Sequence, residues 1–169
     1  MVKGKLVFPN ILGIAAGVVM AVAARTPWWI ITKEDTMEDS LVYPNIVRGP
    51  ITEAIGYSRT EQMKYLMAAL VIGIVLCLLG SFLRRWKGRV TLLSAGVLGG
   101  LVLWRFLVRI ADKASRFEMP LSGRGTVYYS GFDQMGVTNR FGQGLYLMAA
   151  ATGLAVLAAL LHGWLRRPE

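Results

Sequence analysis

Acidic side chains are missing from every long apolar run of this sequence, and cysteine and histidine occur once each, as Cys77 and His162. A lone cysteine excludes an intrachain disulfide and any CxxC redox or metal motif. A lone histidine excludes a metal centre built from several His or Cys ligands within one chain, so neither a metal nor a cofactor is expected. Charge is scarce: 17% of the 169 residues are Asp, Glu, Lys or Arg, against about a quarter in soluble domains. Without acids in the apolar runs, a proton or cation relay across a bilayer has nothing to work with. No hydrolase or transferase motif is present, and no internal repeat supports an inverted-repeat transporter. The sequence also lacks an Asn-x-Ser/Thr glycosylation acceptor.

Apolar residues are plentiful, at 54%, and the mean hydropathy is +0.49. A disordered chain, a disulfide-stapled secreted domain and an ordinary soluble enzyme are thereby excluded. The apolar residues gather in four blocks: Val7 to Ala24, Tyr65 to Leu83, Val90 to Ile110 and Leu145 to Leu165. Each is about 20 residues, the length that crosses roughly 30 Å of hydrocarbon as a helix. The expected organisation is a single membrane domain over 1–169. Spans fall at 7–25, 64–83, 90–110 and 144–165, outer loops at 26–63 and 111–143, and an inner turn at 84–89. The first block also carries signal-peptide features, with Lys3 and Lys5 ahead of an apolar stretch and Ala21-Val22-Ala23 behind it. It is read as a retained span.

Orientation follows from charge. Net charge is +9, which in a soluble protein would point to nucleic acid. Here the basic residues Lys3, Lys5, Arg84, Arg85, Lys87, Arg89, Arg166 and Arg167 cluster in three segments that hold a single acid, Glu169. Cytoplasmic segments are enriched in Lys and Arg, so both termini and the 84–89 turn belong inside, in a plasma (cytoplasmic) membrane. No nucleic-acid partner is expected. Trp86 and Trp164 would mark the inner interface, and Trp28, Trp29, Tyr65 and Tyr146 the outer one.

The outer loops hold β-prone runs: Trp28 to Thr32, Leu41 to Tyr43 before Pro44, and Thr126 to Tyr129 between glycines. Three short strands joining both loops would make a small cap. The acidic run Glu34, Asp35, Glu38, Asp39 lacks EF-hand spacing and reads as a solvated turn. Thr52 to Gly56 and Thr60 to Lys64 have helical character, with Thr60 as an N-cap. Loop aromatics Trp28, Trp29, Tyr43, Tyr128, Tyr129 and Phe132 are candidate contacts for a partner, or else the cap's own core.

Small residues recur at spacing four: Gly13 and Gly17, Gly96 and Gly100, and Gly153 with neighbouring alanines. Close helix approach in lipid requires such residues, inside the bundle or against a partner helix. Arg105 and Arg109 share one face of the third span near its outer end, at the level of Arg25. A charge at that depth pairs internally, for example with Asp112 or Glu61, or binds an anion such as a lipid phosphate. His162, with Ala158 one turn before it, is a weak candidate for axial ligation of a planar cofactor, or an interfacial residue beside Arg166.

With both termini inside, a long β-prone first outer loop bearing Trp28-Trp29, a short inner turn and a second outer loop, the layout resembles the claudin-type tetraspan architecture. That resemblance covers the whole chain as topology; the paired cysteines of the claudin first loop have no counterpart. It implies an architecture, not a function. The expected fold is an all-α membrane protein, a four-transmembrane-helix bundle with a small β-containing extracytoplasmic cap. The expected work is association in the lipid bilayer, as a non-catalytic accessory or scaffold subunit of a membrane complex or a self-associating envelope protein. Other readings are a small oligomeric transporter or channel with an Arg-lined anion site, and a cofactor-bearing electron-transfer subunit.

Overall fold

The computed structural model describes residues 9–50, 60–129 and 133–162. Among them, helices and strands follow in the order α1 (Ile11–Ala23), β1 (Trp29–Lys33), β2 (Asp39–Val42), β3 (Val47–Arg48), α2 (Glu61–Phe82), α3 (Arg85–Arg116), β4 (Gly123–Tyr129), β5 (Asp133–Phe141) and α4 (Gln143–Leu161). Three of the helices, α2, α3 and α4, are long and apolar enough to cross a membrane, and α1 is a shorter apolar helix. The description all-α is too narrow: the five strands form one antiparallel sheet in the order β3-β2-β1-β5-β4.

Small residues set the helix packing. Gly13 faces Ser81, Gly17 faces the Cys77 Cβ and Gly73 faces Met20, so α1 runs antiparallel to α2 at backbone-close range. Gly96 faces Val156 and Gly99 faces Thr152, which does the same for α3 and α4. Lipid offers no hydrophobic drive for helix pairing, so close van der Waals contact has to supply it. Gly100 and Gly153 differ, because a Cβ at either would meet nothing within 4 Å.

The helix α3 is longer than the expected span. At 1.5 Å per residue its 32 residues reach about 48 Å. No proline interrupts the segment from Arg85 to Arg116, and Ile110, Ala114 and Phe117 continue an apolar face past the arginines. The inner turn therefore contracts to Leu83 and Arg84. At the far end the helix closes by a Schellman-type pair, Glu118 N–H to Ser115 O (3.2 Å) and Met119 N–H to Ala114 O (2.8 Å), with Glu118 left-handed at φ 54°.

One end of the bundle is tied by buried polar groups. Asn10 caps α1, its Oδ1 accepting from Gly13 N–H (3.3 Å), and its backbone N–H donates to Ser81 O (3.0 Å). The Asn10 Nδ2 donates to Ala158 O (2.9 Å) and to His162 Nδ1 (3.1 Å), while His162 Nε2 reaches Leu83 O (3.1 Å). One acceptor and one donor on the ring fit neutral imidazole with its proton on Nε2. Arg89 donates to Ala159 O (3.1 Å) and Leu160 O (3.0 Å), covering carbonyls at the end of α4. A Cβ at Gly88 would collide with His162 and Leu83 O, so the first turn of α3 holds a position where only glycine fits.

At the opposite end the sheet joins the two loops through β1 and β5, in the register Trp29 opposite Phe141 and Lys33 opposite Val137. Its inner face (Trp29, Ile31, Val42, Val127, Val137) packs on Phe106, Ile110 and Ala114 of α3 in one continuous core. On the outer face Arg124 pairs with Glu34 (3.2 Å) and Arg140 with Asp39 (3.4 Å), so the acidic turn is held against strand cations. The expected strands at 28–32 and 41–43 correspond to β1 and β2, and 126–129 lies in β4; β3 and β5 are additional. The expected helix at Thr52 to Gly56 lies outside the described residues.

Two outcomes follow for stability, measured by denaturant unfolding in micelles. Asn10→Ala removes the α1 cap and the side-chain bonds to His162 Nδ1 and Ala158 O, at a cost of roughly 2–4 kcal/mol. Gly96→Ala overpacks against Val156 and costs about 1–3 kcal/mol, whereas Gly100→Ala is neutral or stabilising by up to about 1 kcal/mol.

Candidate functional site

The site begins at Trp28. Its ring is fully buried and meets Phe106 edge-on, with centroids 4.9 Å apart at 72°. Its Nε1–H donates to Ala23 O (2.7 Å) and its backbone N–H to Val42 O (2.8 Å). The next strand and helix dock on the same segment, with Gly142 N–H on Trp28 O and Gly144 N–H on Pro27 O, both 2.9 Å. Phe106 is therefore level with the junction between bundle and sheet. Arg105 and Arg109, its neighbours along α3, flank that level.

Beside them the faces of α2 and α3 leave a groove of about 280 Å³, lined by Gln62, Tyr65, Leu66 and Ala69 on one side and Leu98, Leu101, Val102, Arg105 and Arg109 on the other. The helices are antiparallel, so its polar groups gather at the sheet end and its apolar ones run toward the middle of the bundle. Arg105, Gln62 and Tyr65 are exposed and Arg109 is half-buried. Arg109 donates to Thr60 Oγ1. Thr60 does stand at the N-cap of α2, but its side chain makes no cap bond, being committed to Arg109 instead.

The acids expected to pair with Arg105 are engaged elsewhere. Glu61 binds Lys64 (2.6 Å) and Asp112 binds Arg116 (3.2 Å). Among the described residues Arg105 has no acidic partner, and no acid lines the groove. Behind the groove, between the sheet and the tops of α2 and α3, lies an apolar cavity of about 90 Å³ with Trp29, Ile31, Phe106 and Phe117 in its wall; Leu66 and Arg109 line both spaces.

The remaining sequence candidates separate. Arg25 is exposed at the end of α1 and does not line the groove. Trp28 and Trp29 are core residues, 0% and 3% exposed, and so are removed from the surface. Tyr43 is half-buried with the Arg48 guanidinium 5.6 Å from its ring centroid. The side chains of Tyr128 and Tyr129, and all of Phe132, lie outside the described residues. His162 is 1% exposed, with both ring nitrogens bonded within the protein. Gly13, Gly17 and Gly96 face neighbouring helices, while Gly100 and Gly153 do not.

Sequence reasoning missed Asn10, Gln62 and Gly88. Asn10 carried a signal, being a capping residue directly before an apolar helical run; nothing in the sequence marked its bond to a histidine 152 positions away.

Trp28→Ala opens a cavity at the junction and costs about 3–5 kcal/mol. The expected readout is lower unfolding resistance in micelles together with faster proteolysis within the sheet. Neither a scan against protein-family models nor a search of the curated proteins finds a match for this chain, so the chemistry of the site rests on its own geometry.

Proposed function

We propose that all four helices cross the membrane, with both termini and the basic segment Arg84–Arg89 cytoplasmic and the sheet as an extracytoplasmic cap. On this reading the protein works without catalysis, by associating with another subunit's helices or with a second copy of itself. The shortness of α1 is no obstacle. Asn10 is bonded to His162 and Pro27 to Gly144, so residues 10–27 cover the same interval as α4, whose 19 residues reach about 28 Å. The sheet and the basic turn lie at opposite ends of the bundle, which supports the charge-based orientation.

The observation that carries the association reading is the open space at Gly100 and Gly153. The chain's own packing makes no use of their small size. Gly153 sits on an exposed face of α4 with Ala149 and Ala150. A facing helix could approach that surface closely, as small residues in lipid allow.

Two measurements test the proposal. In a Cys77→Ser background, Thr36→Cys is expected to react with a membrane-impermeant maleimide from outside the cell, and Lys87→Cys only after permeabilisation; the reverse pattern overturns the orientation. In native mass spectrometry from mild detergent the chain is expected in a stoichiometric assembly that Gly153→Leu dissociates without unfolding the protomer. A wild-type chain that is uniformly monomeric overturns association.

A further inference from the structure

The groove between α2 and α3 has the polarity gradient of a lipid. Cationic and polar groups (Arg105, Arg109, Gln62) sit at its sheet end, and Ala69, Leu98 and Leu101 continue it toward the centre of the bundle. We propose that it binds one anionic phospholipid from the leaflet on the sheet side, with the phosphate against Arg105 and Arg109 and an acyl chain along Leu98, Leu101 and Ala69. This rests on the four-span reading, because the ligand is taken from the bilayer that surrounds the helices.

Charge selects the class of ligand. Among the described residues no acid lines the groove, and the nearest acids along the two helices, Glu61 and Asp112, are held by Lys64 and Arg116. The groove mouth is therefore cationic. A phosphodiester without a compensating ammonium suits it better than a zwitterionic headgroup, which would set its own cation against the arginines. Residues four apart on a helix are neighbours on one face, with Cβ atoms about 6 Å apart, so the two guanidinium forks can share a single phosphate.

Access and order follow from the same residues. Tyr65 is 73% exposed, and with Arg105 and Leu101, also exposed, it opens the groove sideways to lipid without any portal. An aromatic ring with a polar tip is suited to that level of a bilayer. The bond from Arg109 to Thr60 holds one guanidinium in place before the ligand arrives, which lowers the ordering cost of binding. A volume of about 280 Å³ is at the lower end for a drug-sized ligand. It suits the headgroup-proximal part of one chain, with the rest of the lipid remaining in the leaflet.

The test uses the full chain reconstituted in phosphatidylcholine vesicles containing a minority of phosphatidylglycerol. Flotation comes first: a chain that fails to float with vesicles overturns the four-span reading itself. For a chain that floats, native mass spectrometry is expected to show a single retained phosphatidylglycerol in preference to phosphatidylcholine. Arg105→Gln, at an exposed position, is expected to weaken retention about tenfold, the scale of one lost charge-assisted hydrogen bond. Leu98→Trp is expected to block retention with both arginines intact; if circular dichroism shows that variant misfolded, Arg105→Gln decides alone. Equal retention of the two lipids, wild-type retention in Arg105→Gln, displacement of the lipid by inorganic phosphate, or a polypeptide found in the groove would each overturn the lipid site while leaving the spans intact.

Discussion

Trp28 is the residue through which the two halves of the molecule are joined. Its indole N–H is bonded to the end of α1, its backbone to β2 and to the residue that opens α4, and its ring to Phe106 of α3. The contacts with Gly142 and Phe106 link segments far apart in sequence. Without them the sheet would fall into a three-stranded piece, β1 to β3, and a separate hairpin of β4 and β5. A two-stranded hairpin alone is marginal in water, so the pairing of β1 with β5 that starts beside Trp28 gives the sheet its stability as well as its position.

The opposite end of the bundle obeys a different constraint. Polar groups remote from water must be satisfied within the protein. Asn10, Ser81 and His162 are buried there, and their hydrogen bonds connect the start of α1 with the ends of α2 and α4, while Arg89 ties the beginning of α3 to the end of α4. Between the two ends, contact rests on glycine and small side chains packed against larger neighbours. Directional polar bonds at both ends fix register and orientation, and non-directional packing fills the interval.

The groove between α2 and α3 is a consequence of unequal helix lengths. α3 outruns α2 and α1 because its apolar face continues beneath the sheet, carrying Arg105 and Arg109 to the level where the bundle meets the cap. At that level the same helix has core contacts on one side and an exposed face on the other. Arg109 is half-buried between groove and cavity, and Arg105 is outside. An interface between apolar and polar surroundings is where a guanidinium can keep its charge and still sit beside an acyl chain.

Composition and hydropathy by themselves determined that helices long enough to cross a bilayer exist, where α2 and α4 lie to within a few residues, and that both intervening loops contain strands, because these properties depend on local apolar content and on β-branched or aromatic runs. The pairing of Arg105 and Arg109 on one face was also legible, since helical spacing alone requires it. Tertiary structure decided the rest. It chose the core over a partner contact for Trp28 and Trp29, placed β5 between β1 and β4 although its sequence has few apolar residues, and divided the glycines into packed and unpacked positions. It also bonded Asn10 to His162, whereas the pairs Glu61–Lys64 and Asp112–Arg116, three and four residues apart, are local to their helices. The strand order, the sorting of the glycines and the Asn10–His162 bond depend on which residues meet across long separations, and the entropy of closing such loops is overcome only when the whole set of contacts forms together, so no local window of sequence contains them.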